Sequence, residues 1–178
     1  MKMKALLQFV FVICFFSCGP VINYDYEHRT DFSQYKTYNF FDDIESGMSE
    51  LDENRFKEAI TTVFKAKGYE MSDTPDFFVD IQSELYEVAQ DGGFGVGIGG
   101  TGGNMGGGMS VGIPVSQNTT RRVIILEFLD KDRRTLFWQA VARGAYKQNA
   151  SPEKRQLDFL KLVDKILSGY PPKKTAKN

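Results

Sequence analysis

The chain has 178 residues, 22 Lys and Arg against 23 Asp and Glu, a single histidine and two cysteines. This near-neutral balance excludes the basic footprint of a nucleic-acid-binding protein, and one histidine with two cysteines cannot supply the clustered ligands of a zinc site. The length fits one domain.

The chain opens with Lys2 and Lys4, continues through an apolar run over 5–16 and meets Ser17-Cys18-Gly19, the charged, apolar, small-residue order of a secretory signal. The run covers 12 residues, whereas a helix needs roughly 20 to cross a bilayer. Residues 1–17 therefore read as a cleaved signal peptide. Phe15-Phe16-Ser17-Cys18 resembles the lipobox of bacterial lipoproteins, in which a small residue precedes a cysteine that receives diacylglycerol. Phe15 stands where that pattern has an aliphatic residue, and Cys14 fits worse because bulky Ile13 precedes it. An ordinary secretory signal with Cys18 merely nearby is the alternative. On the lipobox reading Cys18 is the lipid attachment site, and each buried acyl CH₂ contributes about 0.8 kcal/mol to anchoring. The mature chain then keeps no second cysteine for a disulfide, so its stability must come from a core. It also loses Lys2 and Lys4, leaving 20 basic against 23 acidic residues, a formal charge of −3.

In chain order, alternation predicts strands over 21–26 and 37–41. Between them Asp31 and Ser33 suit a tight turn or single helical turn that sets Phe32 and Tyr35 on one side. Residues 52–67 read as an amphipathic helix, with Phe56, Ile60, Val63 and Phe64 inward and Gly68 as its terminator. Residues 77–88 alternate as a strand with one wet face, 123–129 are more uniformly apolar and suit the sheet centre, and 136–146 form a return strand. Ser151-Pro152-Glu153 starts a second helix, running to 167, with Leu157, Leu160, Val163, Ile166 and Leu167 as its buried stripe and Phe159 at the margin. Gly169 and Pro171 stop it. The order β-β-α-β-β-β-α predicts an α+β domain over 18–172, an antiparallel sheet with two helices packed on one face. The lysine-rich tail over 173–178 is expected to be disordered.

Residues 92–112 hold 12 of the 17 glycines, within an insertion over 92–116. Two G-x-G-x-x-G matches there, Gly95 to Gly100 and Gly97 to Gly102, lack the following helix and acidic residue of a dinucleotide site. A flexible loop is one reading, since glycine is costly to order and brings little to bury. A hairpin is the other. Phe94, Val96 and Ile98 alternate with glycines on one arm, Met109, Val111 and Ile113 with small residues on the other, and pairing about a centre between Gly103 and Asn104 gives partners that sum to 207. Phe77 then faces Asp130; Val79, Ile81 and Leu85 share a core face with Phe128, Leu126 and Arg122. The six apolar tip residues fall on the opposite face, as candidate partner-binding residues, unless a bulge near 91–93 restores the core side.

Catalytic chemistry finds little support. His28 is the only imidazole and lies in a polar stretch, so no Ser-His-Asp or Cys-His set is expected. Asp42, Asp43 and Glu45 lack the spacing of a calcium loop. Asp76, Asp80 and Glu84 differ by even steps and read as the wet face of a strand, and Trp138 reads as core.

Several blocks resemble one known family, the lipoproteins of the domain of unknown function 4136. They are Asp31-Phe32-Ser33-Gln34-Tyr35-Lys36-Thr37-Tyr38, Lys67-Gly68-Tyr69, Pro75-Asp76-Phe77-Phe78-Val79, Leu136-Phe137-Trp138, and the stretch from Leu167 to Pro172. Asn39 and Thr120-Arg121-Arg122 depart from the family pattern. The resemblance implies an envelope lipoprotein with an α+β domain and brings no catalytic residue. Gly19 and Pro20, not acids, follow Cys18, and likeness to sorted lipoproteins then implies the outer membrane; the periplasmic side is the expectation, and the sequence itself leaves the side open. The expected function is that of a noncatalytic binding or assembly module, without cofactor, partnered by the membrane through its lipid and by an envelope protein or apolar ligand. A small-ligand or lipid carrier and an uncharacterised hydrolase are the alternatives, told apart by an apolar pocket or by converging ionisable groups.

Overall fold

The computed structural model describes residues 19–88, 119–132 and 135–173. The elements are β1 (Val21–Tyr26), a 3₁₀ turn (Phe32–Gln34), β2 (Thr37–Phe40), α1 (Glu50–Ala66), β3 (Glu70–Met71), β4 (Phe77–Val88), β5 (Thr119–Asp130), β6 (Leu136–Ala145) and α2 (Pro152–Leu167). They build an α+β domain whose single six-stranded sheet has the order β1-β6-β5-β4-β2-β3. None of the described helices is long and apolar enough to cross a membrane.

The sheet is mixed where the sequence suggests an antiparallel one. β1, β6, β5 and β4 form antiparallel ladders, but β2 runs parallel to both β4 and β3. The cause is α1, because a helix between two neighbouring strands returns the chain to the end from which it started. Between β4 and β5 the expected register holds: all twelve described pairs, from Phe77↔Asp130 to Val88↔Thr119, keep the sum of 207.

Both helices bury their apolar side in one core. α1 starts two residues before the apolar periodicity does, because Ser49 caps it by accepting from the Asp52 N–H; Gly68, at φ 84°, follows its end. In α2 the Ser151 hydroxyl accepts from the Lys154 N–H, and Pro152 occupies the first turn. Its buried stripe is rotated from the expected one. Phe159, Val163, Ile166 and Leu167 face inward, whereas Leu157 is 46% exposed, because the helix meets the sheet through the line that continues to buried Tyr170.

The core face of the sheet is largely aromatic. Phe128 stacks on Trp138 at 4.5 Å, Tyr170 stands edge-on to Phe128 at 4.8 Å, and Phe64 and Phe77 complete the cluster. A bulge between Phe128 and Leu129 inserts Phe137, so Phe137 and Trp138 are both buried although adjacent in the chain. Phe137 in turn receives Tyr35, stacked at 4.1 Å, and Phe32, which the turn at Asp31 sets on one side as its sequence suggests. Leu85 departs from its expected core placement and is 47% exposed, because the β4–β5 ladder runs on past the last buried apolar residue of β4, Ile81.

Candidate functional site

Cys18 and the six apolar residues Phe94, Val96, Ile98, Met109, Val111 and Ile113 lie outside the described residues. The structure instead shows where their segments join the domain. Val21 pairs with Arg143, Arg143 with Val123 and Val123 with Glu84, four residues before the end of β4. The N-terminal segment and the glycine-rich insertion therefore leave from the same end of the sheet.

The N-terminal junction is held by α2. Lys165 Nζ donates to the Pro20 carbonyl at 2.8 Å, and the Tyr24 hydroxyl donates to the Lys165 carbonyl at 3.1 Å. Gly169 lets the Tyr24 ring approach: a Cβ there would lie 2.4 Å from a ring carbon, too close for any side chain. β1 is thus fixed against both β6 and the helix from its first residue.

At the same end, both helices begin over a buried charge cluster. Asp52, in the first turn of α1, is 2% exposed and faces three guanidiniums. Arg55 Nη1 donates to Oδ1 at 3.1 Å, Arg155 Nη1 to Oδ2 at 2.9 Å, and Arg122 Nη1 lies 3.5 Å from Oδ2. Arg155 also donates to the Tyr146 hydroxyl and the Gln148 carbonyl, and the bond it donates to Asp52, reinforced by the one to Tyr146, pushes its pKa up. Arg122 lies over the Tyr146 ring at 4.1 Å, yet its buried Nε has no hydrogen-bond partner among the described residues. The register read from the sequence puts Arg122 on the core face, while Asp52 figures in that reading only as the first residue of the helix, with no partner. The available signal was a charge at an inward strand position, which demands a buried counter-ion.

The other sheet face carries a polar row. Asp80, Glu127, Gln139 and Asp25 are consecutive partners across four strands. Burial first, and then the Asp80 charge, pushes the Glu127 carboxyl above its ordinary range. Rows on either side of it hold half-buried Phe78, Leu129, Ile125 and Val141. Asp76 does not join this face as the even spacing suggests. Its Oδ2 accepts from the Lys36 and Thr37 N–H groups at 2.9 Å each, tying the entry of β2 to the start of β4. Burial raises its pKa, but those N–H groups and the Thr37 hydroxyl outweigh it and hold the carboxyl below its usual range.

A cleft of about 220 Å³ lies where β1 meets β6, lined by Asp25, Glu27, Leu136 and Gln139 among others, smaller than the roughly 300 Å³ at which small-molecule sites begin. His28 is exposed, edge-on to Tyr26 at 4.9 Å. Among the described residues no group of three His, Cys, Asp or Glu is placed to hold a metal ion.

Two solved structures are similar in fold. A PDZ domain protein from Parabacteroides distasonis matches with a TM-score of 0.54 at 14% identity, over 88% of this chain and 36% of that one, so this chain spans about a third of that protein's length. A PelC dodecamer from Paraburkholderia phytofirmans matches with a TM-score of 0.50 at 8% identity, over 84% of this chain and 95% of that one. No curated protein matches the sequence. The model of the family described as Domain of unknown function (DUF4136) matches residues 22–172, nearly the whole described fold, and the chain belongs to that family.

Proposed function

We propose that this protein is a noncatalytic lipoprotein of the cell envelope, anchored in the outer membrane by acylated Cys18, facing the periplasm and binding or assembling with another envelope protein. The observation that carries the binding role is the β4–β5 ladder. Its constant register runs to Val88↔Thr119, past Ile81, the last buried residue of β4, with Leu85 and Val88 exposed, and leads into the insertion with alternating Phe94, Val96 and Ile98 and Met109, Val111 and Ile113. A ladder that outruns its own core presents backbone and side chains beyond the domain, which suits contact with a partner. The interior favours this reading over a carrier, since the space between sheet and helices is filled by ring contacts such as Phe64 with Phe128 at 5.6 Å. The charge cluster favours it over a hydrolase, since Asp52 is already engaged by arginines rather than poised beside a nucleophile. A similarly folded protein is described as a dodecamer, which makes self-assembly one form the partner takes.

Crosslinking in intact cells, with the partners identified, tests the proposal against a chain lacking 92–116. The expected result is a reproducible crosslinked partner that disappears in the deletion while the deleted chain keeps its melting temperature. A crosslinking profile unchanged by the deletion contradicts it.

A further inference from the structure

From the way the chain enters β1, we infer that the β1 edge and the neighbouring side of α2 rest directly on a phospholipid surface. This rests on the lipid-anchor reading above and adds to it which surface the membrane meets. Only Gly19 and Pro20 separate Cys18 from β1, and Pro20 is itself held by Lys165. Three residue steps reach at most about 10 Å. An acylated Cys18 therefore cannot lower the domain on a long leash; the bilayer surface lies within one side-chain layer of the chain's exit.

The residues around that exit suit such a surface. Val21 is 63% exposed and Leu157 46%. Lys161 and Leu157 precede Lys165 by one and two turns on the same side of α2, and Arg143 is the cross-strand partner of Val21; all three cations are exposed. Lysine and arginine extend their heads to phosphate oxygens while their stems lie along apolar groups, and a few such charges beside an acyl anchor reinforce it. Of the two acids on this stretch of helix, Asp158 is paired with Lys154, and exposed Asp164 stands between Lys161 and Lys165, leaving the cations of α2 and Arg143 in excess. β1 is also an edge strand, whose unpaired backbone groups would otherwise invite another chain. The opposite edge, β3, lies five strand spacings away, roughly 24 Å.

The test uses the full chain, purified from membranes and reconstituted into vesicles of phosphatidylethanolamine with phosphatidylglycerol that carry a headgroup quencher. An acylated Cys18 leaves no free thiol, so Asn23→Cys and Asp73→Cys each accept one fluorophore, at the near and far edges. Quenching should be several-fold stronger at 23 than at 73. A passive tether would also favour 23, so the deciding variant is Lys161→Glu with Arg143→Glu, both exposed, which should abolish most of the difference. A difference untouched by that charge reversal, or equal quenching at both positions, overturns the docked orientation. An intact mass showing no acyl group overturns the anchor itself, and so separates failure of that reading from failure of this one.

Discussion

Asp52 shows what a single buried charge demands. Three arginines converge on one carboxylate that is almost fully enclosed, so removing it strands Arg122 and Arg155 at the mouth of the core. Asp52→Ala should cost about 3–5 kcal/mol, the range for breaking a buried pair, measured by urea denaturation; a loss under about 1 kcal/mol would mean that the cluster is solvated. Glu127 is the opposite case. It faces Asp80 directly, and like charges at opposed strand positions destabilise. Its carboxyl pKa is raised in the fold, so its charge opposes folding above that pKa and the opposition fades as the pH falls through it. Glu127→Gln should therefore add roughly 0.5 kcal/mol at neutral pH and nothing in strong acid, read from melts across a pH series; a loss at neutral pH would contradict this.

At the scale of elements, strand alternation carried most of what sequence reasoning could see. The register of β4 against β5 follows from it because twelve residues with one buried face admit no slip. The β2 pairing was not legible: four residues show almost no period, and their parallel direction depends on a crossover that only the packing of α1 reveals. β3, with two exposed residues, carries no pattern at all. Leu157 misled for a related reason, since an apolar residue on a helix fits two adjacent stripes and the sheet decides between them. Of the candidate site, the junctions at Gly19 and Val88 are described while Cys18 and the six apolar residues are not, and the Asp52 cluster was not legible because two of its three partners, Arg122 and Arg155, lie 70 and 103 residues away. Ser151 was readable as a cap from its neighbours alone. Ser151→Ala should lower stability by about 1 kcal/mol, checked by thermal melting; an unchanged midpoint would show that Pro152 suffices to start α2.

At the scale of the whole molecule, the fold is a wall of six strands with an aromatic core on one side and a polar row on the other, and the N-terminus and the insertion issue from the same end. Asp76 gives this frame an acid limit. Its carboxyl is held below its ordinary range, so the stability it contributes is complete above about pH 4 and declines as the pH falls through the depressed value. Asp76→Asn should thus destabilise at neutral pH and make no difference in strong acid; equal destabilisation at both would rule out that linkage. Everything proposed about placement turns on one sulfur atom. Intact-mass measurement of the chain extracted from membranes should find residues 18–178 with a diacylglycerol thioether at Cys18, and a free thiol there or a different first residue would contradict the account.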